Sequence, residues 1–202
     1  MNIPNGPSRL PIVTPVLTAG EMRGLGRRLA AVLRAGDLVI LSGPLGAGKT
    51  TLTQGIADGL GVRGPITSPT FVIARVHPPL RPAAGMGLGG YAPALVHADA
   101  YRLGSVLELD DLDLDADLAT SVTVVEWGEG LAEGLAEDRL EIAITPRRDG
   151  GADTGDDLGD GDDLGDSDDL GDGDAPRTVS ISGVGSRWRD IQLPPAEVAN
   201  RL

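Results

Sequence analysis

The amino-acid sequence predicts an α/β domain with a mostly parallel central sheet, antiparallel strands at one side and helices on both faces. Three observations lead there. Leu38 to Leu41 is a short unbroken apolar run between Gly36-Asp37 and Ser42-Gly43-Pro44, the pattern of a strand buried on both faces. Gly43, Gly48, Lys49 and Thr50 satisfy G-x-x-x-x-G-K-[ST] directly after that run. Leu52, Ile56 and Leu60 then follow at four-residue spacing, one stripe of a helix. Strand, glycine-rich loop and helix in this order make the domain P-loop NTPase-like.

Taken in order, residues 1–11 carry three prolines and read as a flexible N-terminus. Ile12 to Leu17 is a strand interrupted by Pro15, which suits a sheet edge because proline has no N–H for the ladder. Thr18 and Glu21 have capping-box spacing, and Met22, Leu25, Leu29, Val32 and Leu33 recur at helical intervals, so a helix is expected up to Gly36. After the P-loop helix, Thr67-Ser68-Pro69-Thr70 is a hydroxyl-rich loop entering a strand at Phe71 to Val76. Local composition favours an ordinary Ser-Pro turn that satisfies its own backbone; the other reading is a loop that reaches a γ-phosphate or its attacking water.

His77 to Pro93 is a Pro/Gly-rich loop, and Ala94 to Ala98 is a strand ending at Asp99. The leucines and acids from Val106 to Asp115 predict one or two short helices and a loop, although the alternation from 109 to 115 also fits a strand. Ser121 to Val125 is a further β-branched strand, ending at Glu126-Trp127, and Gly128 to Ala136 a short helix. Leu140 to Thr145 and Thr178 to Ser182 predict an antiparallel pair. The domain therefore spans 12–148 plus 177–192, with an acidic insertion at 149–176 and a C-terminal tail at 193–202.

The net negative charge is concentrated in that insertion. Asp149 to Asp174 holds twelve aspartates and no basic residue, hence −12 of the net −13, so the low pI does not describe the folded surface. Its GDDLGD, GDDLGD, SDDLGD repeat lacks the order of a calcium-binding loop and the apolar area to offset ordering entropy, so disorder is expected. The absence of cysteine excludes disulfides, Cys-based zinc sites and thiol nucleophiles. No signal-like or membrane-spanning apolar run occurs, which predicts a cytoplasmic protein without membrane partners.

The chemistry concentrates in the loop. Backbone N–H groups from Gly43, Leu45, Gly46, Ala47 and Gly48 can turn inward around phosphate oxygens, and the start of the following helix, with Lys49, Thr50 and Thr51, adds the positive end of its dipole. Lys49 is the only lysine; the other sixteen basic residues are arginines. A compact ammonium suits the β- and γ-phosphates where a planar guanidinium fits badly. The Thr50 hydroxyl can ligate Mg²⁺. A carboxylate from a neighbouring strand end is also needed, and two candidates stand in the right context, Asp99 and Glu126, which spacing alone does not rank.

Gly43-Pro44-Leu45-Gly46-Ala47-Gly48-Lys49-Thr50-Thr51, Ser68-Pro69-Thr70-Phe71, His97-Ala98-Asp99-Ala100-Tyr101-Arg102-Leu103 and Val125-Glu126-Trp127 follow one another as in the TsaE (YjeE) family, which the chain resembles from about Val16 to Gly183 with the acidic segment excluded. The P-loop is generic; the combination of motifs is specific. The resemblance implies a Mg²⁺-dependent ATPase, slow alone, that works with TsaB- and TsaD-like partners in forming threonylcarbamoyladenosine (t6A) at position 37 of ANN-decoding tRNAs. Contact with tRNA would run through that complex, and no DNA partner is implied. It also implies Lys49, Asp99 and Glu126 as catalytic, Thr50 and Glu126 as Mg²⁺ ligands, Asp99 as a carboxylate for metal-bound or attacking water, and Ser68 to Thr70 as a switch-like loop. Trp127 would sit beside the nucleotide, unless it simply packs in the core, and Thr18 and Arg177 fall near nucleotide-touching positions. The loop 77–93 and the Asp repeat are extra, and nothing carries over to them. Two other functions remain open. A small-molecule kinase would normally show an arginine-bearing lid, where 77–93 offers only Arg81. A nucleotide-dependent assembly factor would bind ATP with hydrolysis incidental.

Overall fold

The computed structural model describes residues 11–70, 72–80, 93–110, 118–147 and 175–195, with the side chains of 107 and 110 excepted. The expectations for the N-terminus before residue 11, for residue 71, for 81–92, for 111–117, for the acidic repeat from 148 to 174 and for the tail beyond 195 lie outside the described residues.

The strands are β1 (Ile12–Val16), β2 (Leu38–Ser42), β3 (Ala74–His77), β4 (Ala94–Asp99), β5 (Ser121–Glu126), β6 (Arg139–Pro146) and β7 (Arg177–Val184). They form one sheet in the order β1-β7-β6-β2-β5-β4-β3. The four central strands, β6, β2, β5 and β4, run parallel. β7 and β1 continue one edge antiparallel, as expected, and β3 adds an antiparallel strand at the other edge. Pro15 lies on β1, which pairs only with β7, so its missing N–H costs the sheet interior nothing.

Helices α1 (Ala19–Ala30) and α2 (Lys49–Leu60) pack together on one face. Met22, Leu25 and Leu29 of α1 and Leu52 and Ile56 of α2 bury against Val39, Leu41, Val122, Val124, Leu140 and Ile142. The opposite face, from Leu38, Ile40, Val96, Ala98 and Val125, is covered by Leu109 of α3 (Val106–Asp110) and by Ala132 in the turn after β5. β2 and β5 are therefore buried at consecutive positions, because both of their faces are inside. No helix among the described residues is long and apolar enough to cross a membrane.

Two expected helices are shorter than the apolar spacing suggests. α1 ends at Ala30 rather than near Gly36. Arg187 from the far end of the chain donates to the Val32 carbonyl at 2.7 Å and to Asp37 at 3.1 Å, while Asp37 also accepts from the Arg34 N–H, so tertiary bonds replace the last helical turn. Burial raises the Asp37 carboxyl above its usual value, with these donors pulling the other way. After β5, helical geometry survives only as a 3-10 turn at Glu133–Leu135, since Gly130 takes a φ of 80°. The N-terminal capping box forms: Thr18 Oγ1 accepts from Glu21 N–H at 3.1 Å, and Glu21 accepts from Leu17 N–H at 2.7 Å.

The α1–α2 contact is close enough to require glycine. A Cβ on Gly55 would drive into the Arg23 carbonyl oxygen and lie 2.7 Å from Arg23 Cα, and one on Gly26 would lie 2.5 Å from the Leu52 oxygen. Two effects oppose each other in Gly55→Ala: alanine favours an exposed helix by about 1 kcal/mol, whereas overpacking costs about 1–3 kcal/mol. The obstacle is backbone, which cannot swing aside, so the clash should win. We expect Gly55→Ala to lower Tm by about 2–8 °C in thermal unfolding; an unchanged or raised Tm would contradict this account of the contact.

Candidate functional site

The P-loop leaves β2 and is held by its own backbone before any side chain acts. Gly43 has φ 139°, and a Cβ there would strike the Ile144 carbonyl of the adjacent strand; Gly48 has φ 101°, which turns the chain into α2. Gly48 N-caps α2 with no side-chain hydrogen bond, which leaves the first amides of the helix without a side-chain cap from that residue. Ala47 is buried under the loop, whereas Leu45 stands 85% exposed at its tip. Lys49 curls back, donating from Nζ to the Gly43 and Pro44 carbonyls at 2.8 and 2.9 Å. Burial pushes its ammonium below the usual lysine value, opposed by the Glu126 and Asp99 carboxylates.

Strand order separates the two candidate carboxylates. Asp99 and Glu126 are register partners at the ends of β4 and β5, but only β5 neighbours β2, pairing Leu41 with Glu126. Thr50, one residue into α2, accordingly donates to Glu126 Oε2 at 3.0 Å. Glu126 Oε1 accepts from His97 Nε2 at 2.7 Å and, more distantly, from Thr53 Oγ1 at 3.5 Å. Asp99 belongs to the hydroxyl loop instead: its Oδ2 accepts from Ser68 Oγ at 2.9 Å and Thr70 Oγ1 at 2.5 Å, and its Oδ1 from Tyr101 N–H at 2.9 Å. The Ser-Pro turn exists, with Val72 and Ile73 N–H bonding the Pro69 carbonyl, yet its hydroxyls serve a carboxylate about thirty residues on rather than the local backbone favoured by composition. Asp99 N–H bonds the Ile73 carbonyl, and Ile73 takes φ 67°, a sparsely populated conformation for a β-branched residue.

Trp127 does more than pack in the core. Its φ of 58° follows directly on Glu126 and aims the indole at the P-loop, where Lys49 Nζ lies 3.6 Å from the ring centroid. Tyr101, 60% exposed, tilts against the other side of the cluster with ring centroids 5.1 Å apart. Arg177, the β1-paired start of β7, donates from Nη2 to the Gly46 carbonyl at 3.3 Å, so it buttresses the loop directly. Thr18 lies two residues beyond Val16, the register partner of Arg177, and its hydroxyl serves as the α1 cap. Thr51 is half-buried on α2 beside Thr50.

The donors suit a hard cation that retains waters and phosphate oxygens. No group of three or more His, Asp or Glu side chains able to hold a metal occurs among the described residues. The Thr50 hydroxyl and Glu126 carboxylate, touching at the mouth of the loop, are oxygen donors of the kind Mg²⁺ takes. His97 and Thr53 were not singled out from the sequence. A signal for His97 existed: two residues before Asp99 on a strand it shares that residue's face, a polar side chain in an otherwise apolar run. Thr53, buried inside α2, carries no comparable signal.

The protein-family model described as "Threonylcarbamoyl adenosine biosynthesis protein TsaE" matches residues 16–152. A Streptomyces coelicolor protein named tRNA threonylcarbamoyladenosine biosynthesis protein TsaE is 55% identical over 83% of this chain and 93% of its own length. The protein of that name from Mycobacterium bovis is 52% identical over 69% of this chain and 78% of its own, and that from Bacillus subtilis 38% identical over 61% and 71%. Among solved structures, Bacillus subtilis YdiB superposes with a TM-score of 0.56 at 27% identity, covering 88% of both chains. Family and fold together indicate nucleotide binding. The chain belongs to the TsaE family, whose proteins are involved in t6A tRNA biosynthesis.

Proposed function

We propose that the chain is the ATP-binding and ATP-hydrolysing subunit required for t6A formation, and that its cycle drives turnover of a complex with TsaB- and TsaD-like proteins. The observation that carries this reading is the 3.0 Å contact between Thr50 and Glu126 at the mouth of a glycine loop whose lysine is buried beside it. Amides of the loop and the first turn of α2 would hold the phosphates of ATP, and the Lys49 ammonium, now bonded to the Gly43 and Pro44 carbonyls, would supply a positive charge to them. Mg²⁺, when bound, neutralises charge developing on the transferring phosphoryl group. Thr50 and Glu126 would hold it. Asp99 orients a water, either on the metal or in line for attack, and its bonds to Ser68 and Thr70 let the hydroxyl loop respond to the γ-phosphate. Trp127 shields the ammonium and would flank the nucleotide, Arg177 stiffens the loop from the start of β7, and Thr18 and Thr51 would lie near its approach.

Lys49→Ala should lower ATP turnover about 100-fold or more, since one preorganised donor to a developing charge contributes that much. Glu126→Gln should raise the Mg²⁺ needed for half-maximal hydrolysis about 10-fold or more while changing Mg²⁺-free ADP binding far less, as calorimetry would measure. An equal Mg²⁺ response in wild type and variant would remove Glu126 from the metal site.

Adding the TsaB- and TsaD-like partners should raise ATP turnover several-fold, and a strain lacking the chain should lose t6A from its tRNA. Partners that bind without altering hydrolysis would instead favour a nucleotide-dependent assembly factor.

A further inference from the structure

His97 has no part in the scheme above, yet it is the most completely buried polar ring in the site, fully inaccessible to solvent on β4. Its Nε2 lies 2.7 Å from Glu126 Oε1, and its Nδ1 has no hydrogen-bond partner among the described residues. One hydrogen bond joins the pair, and among the described residues the polar link of this imidazole is to Glu126. The Glu126 oxygens are thereby divided. Oε1 is held by His97, with Thr53 at a longer distance, while Oε2 faces the Thr50 hydroxyl at the mouth of the P-loop.

We infer that His97 is a positioning residue that fixes one oxygen of Glu126 so that the other is presented to the divalent cation, an inference that rests on the nucleotide-site reading above. The register explains how it reaches: Asp99 pairs with Glu126 and His97 with Val124, so His97 approaches the carboxylate diagonally from the adjacent strand, on the α2 side of the sheet. The residue type fits the task. An arginine or lysine there would place a permanent cation against a ligand whose charge the metal needs, whereas an imidazole N–H fixes direction through one hydrogen bond. An apolar side chain of equal volume would fill the space but leave the carboxylate free to rotate about its terminal torsion.

Two substitutions separate orientation from packing. His97→Gln places an amide nitrogen near the Nε2 position, and His97→Asn places one only near Nδ1. Equilibrium binding of ATP to the full chain, titrated with Mg²⁺ and repeated in EDTA, reads the cation affinity without relying on turnover. Wild type and His97→Gln should share the Mg²⁺ affinity, and His97→Asn should lose about 10–100-fold with ATP binding in EDTA unchanged. Wild-type Mg²⁺ affinity in His97→Asn, or an equal loss in both variants, overturns the assignment. If the wild type binds ATP identically with and without Mg²⁺, the cation site itself fails and the assignment with it; loss confined to the variants leaves the broader reading standing. Should His97→Asn not fold, nitrogen NMR of the wild type decides. The chain has only two histidines, so the His97 Nε2 resonance is resolvable; it should move when Mg²⁺ joins bound ATP, and an unmoved resonance overturns the proposal.

Discussion

A carboxylate only 2% exposed must be satisfied by its neighbours, and Glu126 is satisfied from two directions at once, by Thr50 and Thr53 of α2 and by His97 of β4. Leaving such a group without partners costs about 1–3 kcal/mol or more, so the contact is also a constraint on the fold. It ties the helix that follows the P-loop to the strand next to the P-loop strand. The loop between them is then clamped at its far end by α2 and at its near end by the backbone meeting of Gly43 and Ile144.

The rest of the site is arranged around that clamp. Lys49 lies next to Thr50 in sequence and under Trp127 in space, and Trp127 immediately follows Glu126, so the strained φ at Trp127 places a ring face on the ammonium as a direct consequence of where the carboxylate sits. Asp99 repeats the arrangement one strand further out, with hydroxyls of a turn in place of a helix. Parallel strands make this economical: β2, β5 and β4 all end on the same side, so groups at three strand ends converge without long side chains. The glycines of α1 and α2 let the two helices lie close against each other on the same face of the sheet.

The local part of the site was legible in the sequence because its chemistry is local. The spacing from Gly43 to Thr50, the apolar run before it and the helical stripe after it are contiguous, and the capping box at Thr18 and the edge position of Pro15 follow from nearest-neighbour rules. What could not be read was anything set by strand order. Asp99 and Glu126 both stand at strand ends, and only the β2-β5-β4 order decides which meets Thr50. The same holds for the second antiparallel edge at β3, for Arg187 reaching back to stop α1, and for Ser68 and Thr70, whose partner lies far along the chain. His97 occupied an intermediate position, present in a specific motif but without a role until its neighbour across the strands was known.

The central claim is that loop amides and Lys49 grip the phosphates of a nucleotide whose cation is held by Thr50 and Glu126. A crystal structure with ATP and Mg²⁺ tests it most directly. The account predicts phosphate density inside the loop from Gly43 to Gly48 and a metal about 2.0–2.1 Å from Thr50 Oγ1, with Glu126 Oε2 turned toward it. Phosphates lying outside the loop, or a metal remote from both side chains, would contradict it.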